Sequence, residues 1–307
     1  MRRIHVVAFV AAALLPSAAA VAQQSNEPAV PPAANAFFGD YRARAIDVSK
    51  YPLDAAGRTL GASSYVEHRL RVGGFAKNGP VSVTAEADLV NGLLLGDTSE
   101  RFPYVEERRD RYALSNPDIF VRNLFVEAKL PVALVRAGHQ ANKWGLGIIA
   151  NDGEGTPDWG DHYYGDEVER VLAATEPLVK VSPFFEPLLL AAGADVVYHD
   201  ANADLYRGDR AYQGLVSLLW APPGSDDRAG IYAVRRTQVD REGYSLNAWI
   251  VDAHARLTVP VGAFSGHVEA EIARVTGDTN EVRDVFQNSR TIDQLGAAAE
   301  IGIGYGV

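Results

Sequence analysis

Trp249-Ile250-Val251-Asp252-Ala253-His254-Ala255-Arg256-Leu257-Thr258-Val259 carries two interleaved patterns. Trp249, Val251, Ala253, Ala255, Leu257 and Val259 are apolar. Ile250, Asp252, His254, Arg256 and Thr258 stand between them and are ionic through the middle. A period of two over this length specifies a β-strand with one apolar and one charged face, since successive side chains of a strand point to opposite sides. A helix would gather apolar residues at i, i+3, i+4 and i+7, which this stretch does not do.

The same alternation recurs outward from it. In Ser64–Lys77, Val66, Leu70 and Val72 oppose Glu67, Arg69 and Arg71, with His68 as the exception. Val81, Val83, Ala85, Ala87 and Leu89 oppose Ser82, Thr84, Glu86 and Asp88. Phe264, Val268, Ala270 and Ile272 oppose His267, Glu269 and Glu271, and Ala297, Ala299, Ile301, Ile303 and Tyr305 oppose Glu300, Gly302 and Gly304. The pattern predicts twelve strands: 41–49, 63–77, 80–95, 117–130, 131–140, 166–180, 187–199, 210–220, 229–239, 245–259, 263–276 and 292–306. Short turns, such as Asn78-Gly79, 183–187, 221–227 and 259–262, alternate with longer polar loops at 50–62, 97–116, 141–165, 200–209, 239–244 and 277–290. The fold class expected is all-β, an antiparallel transmembrane β-barrel of about twelve strands, complete or part of a larger barrel. Strands of this length suit a tilted membrane crossing better than a sandwich, where about five to six residues is usual.

The leader agrees. Arg2 and Arg3 precede an apolar run from Val6 to Leu15, followed by Pro16 and the small residues 18–22, which is the order of a secretory signal peptide cleaved after Ala22. Residues 1–22 are then the signal peptide, 23–40 a flexible N-terminal segment anchored by Phe37-Phe38, and 41–307 the barrel. The full chain has a formal net charge of −10, and loss of Arg2 and Arg3 takes the mature chain to −12. That acidity, without basic runs, argues against nucleic acid and anionic lipid surfaces. There is no Cys, so neither disulfides nor thiolate metal sites are available.

The most distinctive segment runs from Val135 to Asp166. It leaves a strand as Arg136-Ala137-Gly138-His139-Gln140, turns through Trp144-Gly145-Leu146-Gly147 and continues into Asn151-Asp152-Gly153. Over residues 133–172 this resembles large bacterial outer-membrane porins. It is similar to an uncharacterised family of myxobacterial outer-membrane barrels in the style of alginate-export channels. The resemblance implies a barrel that passes solutes and names no substrate. The chain departs from it in ending Ile303-Gly304-Tyr305-Gly306-Val307, with no terminal aromatic, and in being shorter, so truncation is one expectation.

The function expected is a porin-like outer-membrane channel for passive diffusion of small hydrophilic solutes or ions, not an enzyme and without cofactor. Arg69, Arg71, Glu86, Asp88, Asp252, His254, Arg256, Glu269, Glu271 and Glu300 would line the pore, with weak selectivity tilted toward cations. The 141–165 loop would fold inward as a constriction through Trp144, Asp152, Glu154, Asp158, Asp161, Tyr163 and Tyr164. Its acids, with Asp166, are calcium-type ligands without the EF-hand spacing, and a solvated loop is the simpler reading, so no metal is expected. His254 and His267 with their neighbouring acids read as lining. Residues at i and i+2 stand about 6.5–7 Å apart, and no Gly-x-Ser-x-Gly motif occurs. Arg235-Arg236 cannot share one face of a regular strand, so one must reach a rim or sit at a bulge. Expected partners are outer-membrane lipid, small hydrophilic solutes and the barrel-assembly machinery, with a homo-oligomer left open. Rival readings are a closed barrel with a binding, adhesive or enzymatic surface loop, and a soluble secreted β-protein.

Overall fold

The computed structural model describes residues 7–9, 35–48, 51–52, 59–60, 63–96, 119–153, 165–178, 185–261, 264–280 and 290–305. Its strands are β1 Val7–Phe9, β2 Asn35–Val48, β3 Tyr51–Pro52, β4 Thr59–Leu60, β5 Ser63–Asn78, β6 Val81–Gly96, β7 Phe120–Lys129 and β8 Leu134–Asn142. They continue with β9 Asp166–Thr175, β10 Leu188–His199, β11 Arg210–Trp220, β12 Arg228–Val239, β13 Ser245–Val261, β14 Phe264–Thr279 and β15 Arg290–Tyr305. Thirteen of them hydrogen-bond in chain order in one sheet, and β3 and β4 form a separate two-stranded ladder. Every strand pairing among the described residues is antiparallel, so the fold is all-β with the up-and-down order of a barrel wall.

All twelve expected segments are strands, and three differences follow from physics the alternation does not encode. β1 is a thirteenth member, in which the apolar Val7–Phe9 pairs with Ala43–Ala45 of β2. It lies within the stretch read as leader. β2 begins at Asn35, inside the segment 23–40 read as flexible, because Phe38 pairs with Gly73 and its ring covers that bare glycine. Residues 23–34 lie outside the described residues. The strict alternation of short and long turns also fails at one hairpin. Residues 240–244 close tightly, with Asp240 N–H bonded to Tyr244 O at 2.9 Å, and span less chain than the supposedly short 221–227 turn.

The strands fall into two compact units. The first rests on β2, β5 and β6 with the start of β7. One face carries the register pairs Asp40 with Arg71 and Arg42 with Arg69. Arg71 bonds Asp88 through two nitrogens at 2.6 and 3.0 Å, and Asn123 donates to Glu86 at 3.0 Å. Val72, Val81, Val83 and Leu89 are exposed on the other face. His68, the exception in the pattern, is buried on that apolar face, with the Tyr41 ring edge-on to it at 6.1 Å.

The second unit, from β7 to β15, keeps the same two faces. Val216, Leu218, Ile231, Val251, Leu257, Val268, Ile272 and Ile301 are exposed on the outward positions. The inward positions differ from the expected wet lining. Leu172, Ala191, Leu215, Leu219, Tyr232, Val234 and Ile250 pack there into a buried apolar cluster with Trp144 and Ala150. At the 221–227 turn the Thr258 N–H donates to Asp227 Oδ1 at 2.6 Å, and this bond holds the Asp227 carboxyl below the usual carboxylate range.

Two tests follow. Gly138 has φ +131°, and a Cβ there would stand 2.8 Å from Phe125 Cα. Gly138→Ala should lower unfolding free energy in detergent by about 1–3 kcal/mol, measured by urea titration. A carboxyl whose value is lower in the folded state stabilises above its unfolded value and loses that contribution as pH falls through its folded one. Asp227→Asn should therefore flatten the acid end of the stability–pH curve, and an unchanged slope would count against the Thr258 bond.

Candidate functional site

The chain leaves β8 at Asn142 and reaches across the inward face of the second unit before returning to β9. Its first turn is compact. Gly147 N–H donates to Trp144 O, and Trp144 N–H donates to Ala150 O, both at 3.0 Å. Gly145 and Gly147 have φ of +54° and +90°, which β-carbon-bearing residues rarely adopt. A Cβ on Gly145 would also stand 2.5 Å from Glu271 Oε2 and 3.1 Å from His254 Cδ2. The Trp-Gly-Leu-Gly sequence is therefore required by where the turn sits as well as by its shape.

Three strands, β12, β13 and β14, receive it. Trp144 Nε1 donates to Asp252 Oδ1 at 3.0 Å, and the indole stacks on Tyr232 with centroids 5.2 Å apart. Three successive backbone N–H groups converge on the Glu271 carboxylate, from Leu146, from Gly147 at 3.1 Å and from Ile148 at 3.3 Å. Such a nest of amides is a partial positive charge aimed at one acid. Beside it, Glu269 accepts from Arg228 at 3.0 Å and Arg256 at 2.8 Å, and its Oε1 lies 2.7 Å from His254 Nε2. Register explains the grouping, since His254 faces Glu271 and Arg256 faces Glu269 across the β13–β14 ladder.

Of the residues expected to line a pore, Asp252, His254, Arg256, Glu269 and Glu271 are thus brought together with Trp144. Asp252 is fully buried, and His254, Glu269 and Glu271 are nearly so. The loop covers Asp252 with its indole, Glu271 with its N–H groups and His254 with Gly145, while Glu269 is enclosed by Arg228, Arg256 and His254, so these groups do not form the open lining expected. Arg69, Arg71, Glu86 and Asp88 are also buried, on the first unit's charged face. Glu300 is half-exposed, 3.2 Å from His267 Nε2. Asp152 forms an ion pair with Lys143 at 3.4 Å, and Asp166 accepts the Asn151 N–H at 2.9 Å. Glu154, Asp158, Asp161, Tyr163 and Tyr164 lie outside the described residues. Among the described residues no group of three His, Asp or Glu could hold a metal ion.

Sequence reasoning missed several partners. Arg170, fully buried, holds Asp195 through two bonds of 2.6 Å and Asn142 through one of 3.0 Å. On the opposite face His139 lies between two acids, with Nδ1 2.7 Å from Glu169 and Nε2 3.5 Å from Glu167. The signal for each lies in strand register: Arg170 faces Asp195 across β9–β10, and His139 faces Glu169 across β8–β9. Arg235 and Arg236 divide as alternation requires. Arg236 bonds Gln238 and Asp200 inside, while Arg235 lies over the Trp249 ring at 5.6 Å outside.

No family model and no curated protein matches the chain. Among solved structures it is similar to a loop-L8 deletion mutant of OmpT, an outer membrane protein of Vibrio cholerae. Identity is 11%, coverage 89% of both chains and TM-score 0.40. It is likewise similar to in-vitro folded OmpT of Vibrio cholerae in its trimer form, at 10% identity, covering 89% of this chain and 84% of that one, with a TM-score of 0.38.

Trp144→Phe keeps most of the stacking area and removes the donor to a buried carboxylate. It should cost about 1–3 kcal/mol, read by urea titration in detergent. Trp249→Phe, on the exposed face, should cost markedly less.

Proposed function

We propose that this chain is an outer-membrane β-barrel that acts as a narrow channel for small hydrophilic solutes or ions, without chemistry, with the Trp144–Ala150 turn as its constriction. One observation carries the reading. Strand after strand in the second unit leaves bare aliphatics exposed outward and holds charged groups inward. An exposed aliphatic face of this extent is costly in water and matched to hydrocarbon. The inward groups are paired, and the turn lies over those of β13 and β14, so the passage is narrower than an unobstructed charged lining would give. The apolar cluster beneath the turn favours a second reading, a closed barrel whose exposed loops do the work.

Planar-bilayer recording separates the two. The refolded chain should give small conductance steps, and Glu271→Ala, which removes the acceptor for three loop N–H groups, should give larger ones. A correctly folded, heat-modifiable protein that yields no steps in either form defeats the channel and supports the closed barrel. The lipid-facing assignment has its own check. Val251→Arg, on the exposed face of β13, should reduce folding free energy in phospholipid vesicles by about 2–4 kcal/mol. A negligible change would place that face in water.

A further inference from the structure

Beneath the loop two carboxyls are buried side by side. Asp252 and Glu271 are 0% and 2% exposed and stand as diagonal neighbours on the inward face of the β13–β14 ladder, Asp252 opposite Ala273 and Glu271 opposite His254. Asp252 Oδ1 receives the Trp144 indole N–H, whereas Oδ2 is buried and receives no hydrogen bond. Glu271 is filled by the loop amides. The neighbouring cations are committed elsewhere. From β12 Arg228, and from β13 Arg256 and His254, all bond Glu269 of β14. Tyr232 of β12 stacks on Trp144, Arg170 of β9 holds Asp195 of β10, and β15 places Ala298 and Gly296 opposite Glu271 and Ala273. Within the loop, Lys143 is paired with Asp152.

Two full negative charges here would have the loop dipoles as their main compensation, and like charges at close range disfavour joint ionisation. A proton carried by one carboxyl and donated toward the other removes the repulsion and fills the vacant valence on Asp252. We propose that one proton shared between Asp252 and Glu271 holds the Trp144–Ala150 loop against β13 and β14, so that its loss to solvent frees the loop. The inference rests on the constriction reading only for its consequence, which is a passage that widens as pH rises. The latch itself is independent of conduction.

The test reads the loop directly. The full chain, refolded in detergent and confirmed by heat-modifiable migration, is scanned from about pH 4 to about pH 9, a range that brackets interacting carboxyl pairs. The Trp144 emission is taken as the difference between the wild type and Trp144→Phe. It should be blue and protected from iodide at low pH, then shift red in one transition with several-fold higher quenching. Asp252→Asn keeps the indole acceptor and supplies an amide that donates to Glu271 without titrating, so its loop should stay protected across the scan. Glu271→Gln, the second variant should the first not fold, should likewise abolish the transition. His254→Gln should retain it. A flat wild-type profile overturns the proposal. So does a transition that survives in Asp252→Asn or Glu271→Gln, or that is lost in His254→Gln alone. A chain that shows the transition but carries no current keeps the latch and loses only the channel.

Discussion

Backbone amides that leave a ladder and stay buried need acceptors, and the interior of the second unit is organised around that requirement. The Trp-Gly-Leu-Gly turn takes three N–H groups into the inward face of the sheet, where no strand edge is available to receive them. Unmet, each would cost about 1–3 kcal/mol. Glu271 accepts all three, and its position follows from the β13–β14 register. Once the turn is held, the indole reaches both Tyr232 and Asp252, and Ala150 joins the aliphatics of β9 to β13. The apolar cluster inside therefore exists because an acid holds the loop that completes it.

The charged groups elsewhere obey the same economy of partners. Arg71 with Asp88 and Arg170 with Asp195 are buried and joined by two bonds each, and buried Glu269 takes buried His254 and half-buried Arg228 and Arg256. Such groupings are weak evidence for stability, because desolvation offsets their attraction. Removing one member, however, leaves a stranded charge that costs about 3–5 kcal/mol. Their value lies in exclusivity, since each arrangement fixes which strands meet and in which register.

Much of this was legible in the sequence. Period-two alternation located twelve strands and separated their faces, so that Asp252, His254 and Arg256 are indeed on one side of β13 and Val251 and Leu257 on the other. Alternation states which residues share a face and is silent on what covers them. The inward face could therefore be read as a wet lining, although Leu215, Tyr232 and Ile250 stand on it as well. Trp144 was identified as an inward residue, but its seat depends on contacts more than a hundred residues away, which no local pattern records. His139 with Glu169 became visible only through pairing register. The early start of β2 reflects a cross-strand need, a bare glycine covered by an aromatic ring.

The adjacent arginines of β12 have a bearing on assembly. Arg235 rests on an indole at the outer surface, and Arg236 is bound inside by Gln238 and Asp200. A slip of one residue between β12 and β13 would exchange their faces, turning Arg235 inward off the indole and Arg236 outward away from Asp200. Both errors penalise the same misstep. The pair thus ties the β12–β13 register to both faces of the sheet at once.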